Sequence, residues 1–139
     1  MILLDTNAWI WWAERPETLP GKVVDIIDDA AENADLFVSV VSVWEIAVKY
    51  ELGKLPLSLP PRHWVAEAGR DPGPSILPLA PDVALASAEL PEPFHRDPAD
   101  RLIVAQARRR RATLGCVYTA RPSPYARHGI VGSTPRRAR

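Results

Sequence analysis

The sequence predicts a three-layer α/β/α domain built on a central parallel sheet of four to five strands. Short apolar runs, such as residues 36–40, alternate along the chain with segments that have helical periodicity. Such runs, bounded by turn signals, are typical of buried strands of a parallel sheet. No hairpin signal joins two of them, and alternation of strands with helices is typical of parallel βαβ units.

The elements follow one another without an internal repeat. Gly53 is expected at the left-handed position after a helix, and Pro72 lies in a segment that ends another. Residues 1–132 are predicted to form a single domain, and residues 133–139 a loose basic tail rich in Arg, Pro and Ser. We predict strands at residues 1–4, 36–40, 76–79, 112–119 and near 130–131, and helices at 7–13, 21–33, 42–52, 62–70, 81–90 and from Asp97 through the arginines.

Composition narrows the class of protein. With 139 residues, 47% apolar and 24% charged, the chain is typical of one globular domain. It has no run of eighteen apolar residues and no basic segment before its first apolar run, so we expect neither a membrane span nor a signal peptide. Cys116 is the single cysteine and cannot form an internal disulfide. The expected location is the cytoplasm.

The formal net charge of zero conceals two oppositely charged regions. Residues 1–95 contain 6 Lys or Arg and 15 Asp or Glu, a net charge of −9, whereas residues 96–139 contain 11 Arg and 2 Asp, a net charge of +9. An arginine-rich region can contact the phosphates of a nucleic acid. Alternatively, Arg108 to Arg111 form a solvated helix end, where cations complement the helix dipole.

Acidic residues follow the predicted strands. Asp5 comes directly after the first strand, Glu45 lies in the helix after the second, and Asp97 and Asp100 flank the start of a later helix. In a parallel sheet the connections after the strands emerge at one edge, where ligand groups gather. The sequence therefore predicts a cluster of carboxylates at the carboxyl edge of the sheet.

Each acid also has a purely structural interpretation. Asp5 can cap the following helix, Asp97 before Pro98 is a typical N-cap, and Asp100 in the first turn can complement the helix dipole. For Glu45, the Ser42-x-x-Glu45 spacing fits a capping box.

Two further alternatives concern single contacts. Glu45 can pair with Lys49 one turn later in the helix. His95 has no histidine or cysteine partner and is more typical of loop structure than of catalysis.

The chemistry of the cluster favours a metal. Carboxylates held together repel one another unless a hard cation neutralises them, and Mg²⁺ or Mn²⁺ prefers such oxygen ligands. Such ions support hydrolysis of phosphodiesters, which also suits the basic region. A phosphatase with Asp5 as nucleophile is a remote alternative, because no second Asp lies two residues later.

Three segments together resemble one known family. They are residues 3–7 (LLDTN), 40–49 (VVSVWEIAVK) and 95–107 (HRDPADRLIVAQA). They resemble the PIN domain, and within it the VapC-like toxin ribonucleases of type II toxin–antitoxin systems, over roughly residues 1–114. The resemblance implies a PIN-like domain at residues 1–132, Mg²⁺ or Mn²⁺ as cofactor, endonucleolytic cleavage of RNA, a homodimer and a small cognate antitoxin that blocks the site.

The resemblance also assigns roles to residues. It implies that Asp5, Glu45 and Asp100 are catalytic and bind metal, with Asp97 as an additional ligand or cap. The supporting residues it implies are Thr6, Asn7 and Thr119, and the expected RNA-binding residues are Arg101, Arg108 and Arg109.

One position departs from the family pattern. The family usually carries a fourth acid in a Thr-x-Asp motif, where this chain has Thr119-Ala120-Arg121. Two functions are therefore open: an active ribonuclease, or a weakened PIN module that binds antitoxin or RNA without efficient cleavage.

Overall fold

Five strands form one parallel sheet. They are β1 (Ile2–Leu4), β2 (Leu36–Ser39), β3 (Ser75–Leu77), β4 (Thr113–Tyr118) and β5 (Val131–Ser133). The order β3-β2-β1-β4-β5 places the first strand at the centre. The computed structural model describes residues 1–91, 97–118 and 131–133, and for residues 116–118 and 131–133 the backbone alone. The predicted parallel sheet of four to five strands is confirmed.

Helices connect the strands. They are α1 (Thr6–Glu14), α2 (Gly21–Glu32), α3 (Val40–Glu51), α4 (Pro61–Ala68), α5 (Pro81–Ala88) and α6 (Pro98–Arg110), and a short 3-10 helix spans Pro16–Thr18. The helix after a parallel strand must run back across the sheet. Therefore α1 and α3 begin at the carboxyl edge, where β1 and β2 end. Because α6 leads into the parallel strand β4, it also begins at this edge.

Two buried clusters cover the two faces of the sheet. Successive residues of a strand point to opposite faces, so Leu3 and Leu4 belong to different clusters. The Leu4 cluster holds residues of α1, α2 and α4, including Trp9 and Trp64, whereas the Leu3 cluster holds Ile103 of α6. This arrangement confirms the three-layer α/β/α architecture.

The second strand is shorter than predicted, and α3 begins earlier. The apolar run was expected to stay extended through Val40, with a helix starting at Ser42, but β2 ends at Ser39 and α3 starts at Val40. The Ser39 hydroxyl accepts a hydrogen bond from the Val41 amide at 3.0 Å. This N-cap starts the helix within a β-branched run that resembles a strand.

The end of α3 agrees with the sequence. Gly53 has a φ of +67°, the left-handed conformation expected of a residue just after a helix. Its amide donates to the Tyr50 carbonyl, and the Lys54 amide donates to the Lys49 carbonyl, each at 2.9 Å.

A second glycine lets β4 approach β1. Gly115 pairs with Leu4 in the register of the two strands, and its carbonyl accepts the Asp5 amide at 2.9 Å. A Cβ atom at position 115 would lie 2.8 Å from Cδ2 of Leu4, a side chain that is completely buried. Any side chain at position 115 would therefore force the buried Leu4 side chain to shift.

The C-terminal region is described only in part. Ser133 ends β5, so the sheet extends one residue into the segment predicted as a tail. Within the described residues, no helix has the length and apolar character needed to cross a membrane.

Candidate active site

Asp5 lies where β1 leaves the sheet and α1 begins. Its backbone is extended, and its Oδ1 accepts the Ala8 amide at 2.7 Å. Asp5 is therefore the N-cap of α1, as its structural interpretation predicted. The cap fixes one carboxylate oxygen and thereby orients the other, so capping and ligand binding are compatible roles for this side chain.

Glu45 is joined to the start of α1 by a buried hydrogen bond. Oγ1 of Thr6 lies 2.5 Å from Oε1 of Glu45 and 2.9 Å from Oγ of Ser42. Thr6, Ser42 and Glu45 are 4%, 0% and 8% exposed, respectively. Because a carboxylate only accepts hydrogen bonds, the Thr6 hydroxyl donates to Glu45. Thr6 was expected to support the first acid, but among the described residues its side chain binds the second.

The other oxygen of Glu45 has a cationic partner. Nζ of Lys49 lies 3.0 Å from Oε2, which confirms the predicted pair one turn apart. The predicted capping box is wrong, because Ser42 is the third residue of α3 and Ser39 caps the helix. Glu45 thus has no capping role and is held by Thr6 and Lys49.

The third acidic position is the start of α6. Asp97 caps this helix: its Oδ1 accepts the Ala99 amide at 2.9 Å and, more weakly, the Asp100 amide at 3.4 Å. The predicted cap is confirmed. Asp100 is exposed in the first turn of α6.

The neighbours of the three acids pack together. Leu3 of β1, Val41 of α3 and Ala99 of α6 belong to one buried cluster, which joins the beginnings of the two helices to the end of the strand. Within residues 1–91, 97–118 and 131–133, however, no three His, Cys, Asp or Glu side chains are arranged to hold a metal ion. The structure thus brings the acid-bearing elements to one edge without a closed set of three ligands.

The donor chemistry nevertheless suits a hard divalent ion. The three acids offer only carboxylate oxygens, and Mg²⁺ is usually bound through one or two carboxylates and several waters. A pair drawn from Asp5, Glu45 and Asp100 would therefore suffice.

The expected RNA-binding arginines have different environments. Arg101 donates to the Ser87 and Ala88 carbonyls at 3.0 and 3.3 Å, which ties α6 to the end of α5. Arg109 pairs with Asp82 at 3.0 Å. Arg108 is exposed, eight residues beyond Asp100 and hence about 12 Å farther along the helix.

Other predicted site residues are less informative. Asn7 is exposed in the first turn of α1. Thr119, Arg121 and His95 lie outside the described residues.

One network near the opposite end of α1 was not predicted. Oε1 of Glu14 accepts the Ser58 amide at 3.1 Å, the Ser58 hydroxyl at 2.7 Å and the Trp64 indole at 2.5 Å. Burial alone would raise the pKa of Glu14, but these bonds and the nearby charge of Arg15 together lower it. The partners lie 44 and 50 residues away in the chain, and no local motif joins them.

Comparisons with known proteins identify the family of this chain. The PIN domain family model matches residues 2–117. Ribonuclease VapC22 of Mycobacterium tuberculosis (strain ATCC 25618 / H37Rv) is 35% identical over 109 residues, which are 76% of this chain and 78% of that protein.

Solved structures share the fold. VapBC2 from Rickettsia felis, bound to a DNA fragment from its promoter, has a TM-score of 0.66 at 17% identity, over 97% of this chain and 100% of that one. FitAB bound to the IR36 DNA fragment has a TM-score of 0.58 at 26% identity, over 96% and 94%. FitAcB from Neisseria gonorrhoeae has a TM-score of 0.54 at 27% identity, over 84% and 86%. The chain is therefore a VapC-like member of the PIN domain family.

Proposed function

We propose that this protein is a metal-dependent endoribonuclease, the toxin of a toxin–antitoxin pair, acting in the cytoplasm. The observation that carries the proposal is the hydrogen bond of Thr6 with Glu45, which holds the second acid against the start of α1, one residue after Asp5. The similarity to Ribonuclease VapC22 supports RNA as the substrate. The similarity to VapBC2 and FitAB complexes supports a small antitoxin, and the family supports a homodimer.

The chain's own residues provide the orientation that hydrolysis needs. Asp5, Glu45 and Asp100 would hold Mg²⁺ or Mn²⁺. When bound, such an ion lowers the pKa of water and neutralises charge on the phosphodiester. Oδ1 of Asp5 is fixed by the Ala8 amide, and Oε1 of Glu45 is fixed by Thr6, so both carboxylates are oriented before substrate arrives.

The proposal is tested by incubating the protein with a mixed pool of RNA and Mg²⁺ or Mn²⁺. We expect internal cleavage with either ion, since both accept carboxylate and water oxygens. The control contains EDTA. Cleavage that continues in EDTA would contradict metal dependence, and an intact pool in all arms would contradict ribonuclease activity.

A second function is favoured by Arg121. This residue stands where the family pattern has a fourth acid, and if the segment folds as in the family, its charge would compete with a divalent ion near Asp5 and Asp100. In this alternative the chain binds antitoxin or RNA but cleaves poorly. Calorimetric titration of Mn²⁺ into the protein and into Arg121→Asp separates the two functions. Tighter binding and faster cleavage by the variant would support the weakened module, and equal affinities would contradict it.

A further inference from the structure

A cavity of about 260 Å³ lies between the end of α1, the helix α4 and the loop that joins α3 to α4. Glu14 in its wall lies nine residues after Asp5, about 13 Å along the axis of α1. The cavity is therefore separate from the acidic edge described above. The side chains relevant here are Trp12, Glu14, Ser58, Trp64, Glu67 and Arg70.

Glu14 contributes an available acceptor to this wall. Its Oε1 is occupied by the three donors from Ser58 and Trp64. In the part of the chain that the structure describes, its Oε2 has no hydrogen-bond partner. The lowered pKa of Glu14 keeps this carboxylate ionised at neutral pH. The cavity thus contains a fixed negative charge with one oxygen free to accept.

The other charged groups leave the cavity negative. Glu67 adds a second carboxylate, and Arg70 neutralises one of the two charges through its ion pair with Glu67 at 2.6 Å. Because that pair is exposed at the surface, it is only weakly held. The lining residues Glu14, Glu67 and Arg70 together carry a net charge of −1. Two charged neighbours lie just outside the lining, Arg15 beside Glu14 and Asp28 at the Trp12 indole, and their charges cancel.

Two tryptophans complete the wall, and both are held in place. The Trp12 indole donates to Asp28 at 2.8 Å, and Trp64 packs edge-on against Trp9 with ring centroids 5.0 Å apart. Trp64 is only 3% exposed, so the half-buried Trp12 is the indole that can contact a cation, and the Glu14 carboxylate in the same wall adds to that attraction. A negative, indole-lined cavity favours an organic cation as its ligand.

The volume of the cavity and its hydrogen-bond acceptors indicate which kind of organic cation it binds. A volume of about 260 Å³ is smaller than the cavities that enclose drug-sized ligands, so it suits a group the size of one side chain. A guanidinium binds best to two oxygens of one carboxylate, and Oε1 of Glu14 is already occupied. An ammonium is a compact charge that can bind single oxygens. We propose that this cavity binds a primary alkylammonium group, carried by a lysine side chain or by a free alkylamine.

The test uses ¹⁵N-labelled full-length protein and three probes. Nα-acetyl-lysine amide represents a peptide segment, 1,5-diaminopentane represents a free amine, and Nα-acetyl-norleucine amide is the uncharged control. We expect the Trp12 and Trp64 indole resonances to shift saturably with an amine and not with norleucine. A response to one amine alone supports the proposal and identifies the source. No response to either amine, or an equal response to norleucine, would overturn it.

Variants then connect the response to the cavity. Glu14→Gln keeps an oxygen for Ser58 and Trp64 but replaces the free Oε2 with an N–H donor, so we expect affinity to fall at least about tenfold. Glu89→Gln removes an exposed acid outside this cavity and should bind as the unmodified protein does. Equal affinities of the Glu14 and Glu89 variants would overturn the proposal.

A second variant tests the proposal without changing Glu14. If Glu14→Gln does not fold, Trp12→Leu removes one indole wall while Glu14 stays in place. We expect affinity several-fold lower, since the cation–π contribution is lost. An unchanged affinity would overturn the proposal.

Discussion

Glu45 and Glu14 are both anchored glutamates, but their partners differ in charge. Glu45 is held by the Thr6 hydroxyl on one oxygen and by Lys49 on the other. Glu14 is held by three neutral donors on one oxygen, and its other oxygen is unpartnered among the described residues. The partners therefore decide how much charge remains available: Glu45 is largely neutralised locally, whereas Glu14 keeps its charge.

The comparison also separates two uses of α1. Its first residues, Asp5 as cap and Thr6, organise the acidic edge, whereas Glu14 at its last residue ties the helix to the α3–α4 loop and to α4. The two ends can therefore be perturbed independently. Three changes at α1 test this, and a fourth at α6 tests the basic helix end; they follow from the largest expected effect to the smallest.

Asp5→Asn should produce the largest change. Asn caps helices about as well as Asp, so the free energy of unfolding without metal should change little, whereas loss of the ligand charge should reduce RNA cleavage on the order of 100-fold or more. Asp5→Ala is the control for the cap and should also lose about 1 kcal/mol of stability. Cleavage that survives in Asp5→Asn would show that Asp5 is only a cap.

Thr6→Val should lower the free energy of unfolding by removing a buried hydrogen bond at the acidic edge. The change removes a buried hydroxyl and leaves Glu45 and Ser42 without that partner, so we expect a loss of about 1–3 kcal/mol, measured by urea unfolding. Thr18→Val is a matched control, because its hydroxyl bonds to a carbonyl at the surface and should cost no more than about 0.5 kcal/mol. Equal losses of stability in the two variants would show that the buried hydrogen bond of Thr6 stabilises the fold no more than a surface hydrogen bond does.

Glu14→Gln should alter the pH dependence of stability. The folded protein lowers the pKa of Glu14 below its ordinary value of 4.5, so the unfolded chain binds more protons in that range. This contribution is therefore fully present above pH 4.5 and is lost as pH falls through the folded pKa. Urea unfolding at a series of pH values should show a shallower acid decline for the variant. Parallel curves would contradict a lowered pKa.

Replacing both Arg108 and Arg110 with Gln should produce the smallest change. If these exposed residues contact phosphates, the logarithm of the association constant for single-stranded RNA should depend less steeply on the logarithm of the salt concentration. The slope should flatten by up to about 0.7 per lost contact. The measurement uses the Asp5→Asn background to prevent cleavage. Arg109→Gln, which removes a residue already paired with Asp82, should change the slope less. An unchanged slope in the double variant would identify a solvated helix end.

Local signals predicted the elements that depend on neighbouring residues. Asp97 before Pro98 predicted the start of α6, and Gly53 predicted the end of α3, because caps and left-handed positions are set by a few adjacent residues. Alternation of apolar runs with helical segments was enough to predict the parallel sheet. The start of α3 was misplaced because Val40 and Val41 have strand-like propensity, and the Ser39 cap outweighs it.

Contacts between distant segments were only partly predictable. The order of parallel elements placed Asp5 and Glu45 at one edge, but it could not show that Thr6 bonds to Glu45, or that Arg101 binds the carbonyls at the end of α5. The link of Glu14 with Ser58 and Trp64 had no sequence signal, since it depends on how α4 packs against α1.

The position of β1 between β2 and β4 has a consequence for synthesis. A nascent chain that ends before residue 113 lacks β4, one of the two strands that pair with β1. It therefore also lacks Gly115, whose carbonyl accepts a hydrogen bond from the Asp5 amide. The strand that carries the first acid is therefore completed by residues translated more than 100 positions later. A truncated chain released from a stalled ribosome would lack the strand that positions Asp5. During synthesis, the acidic edge can therefore form only after β4 has been translated.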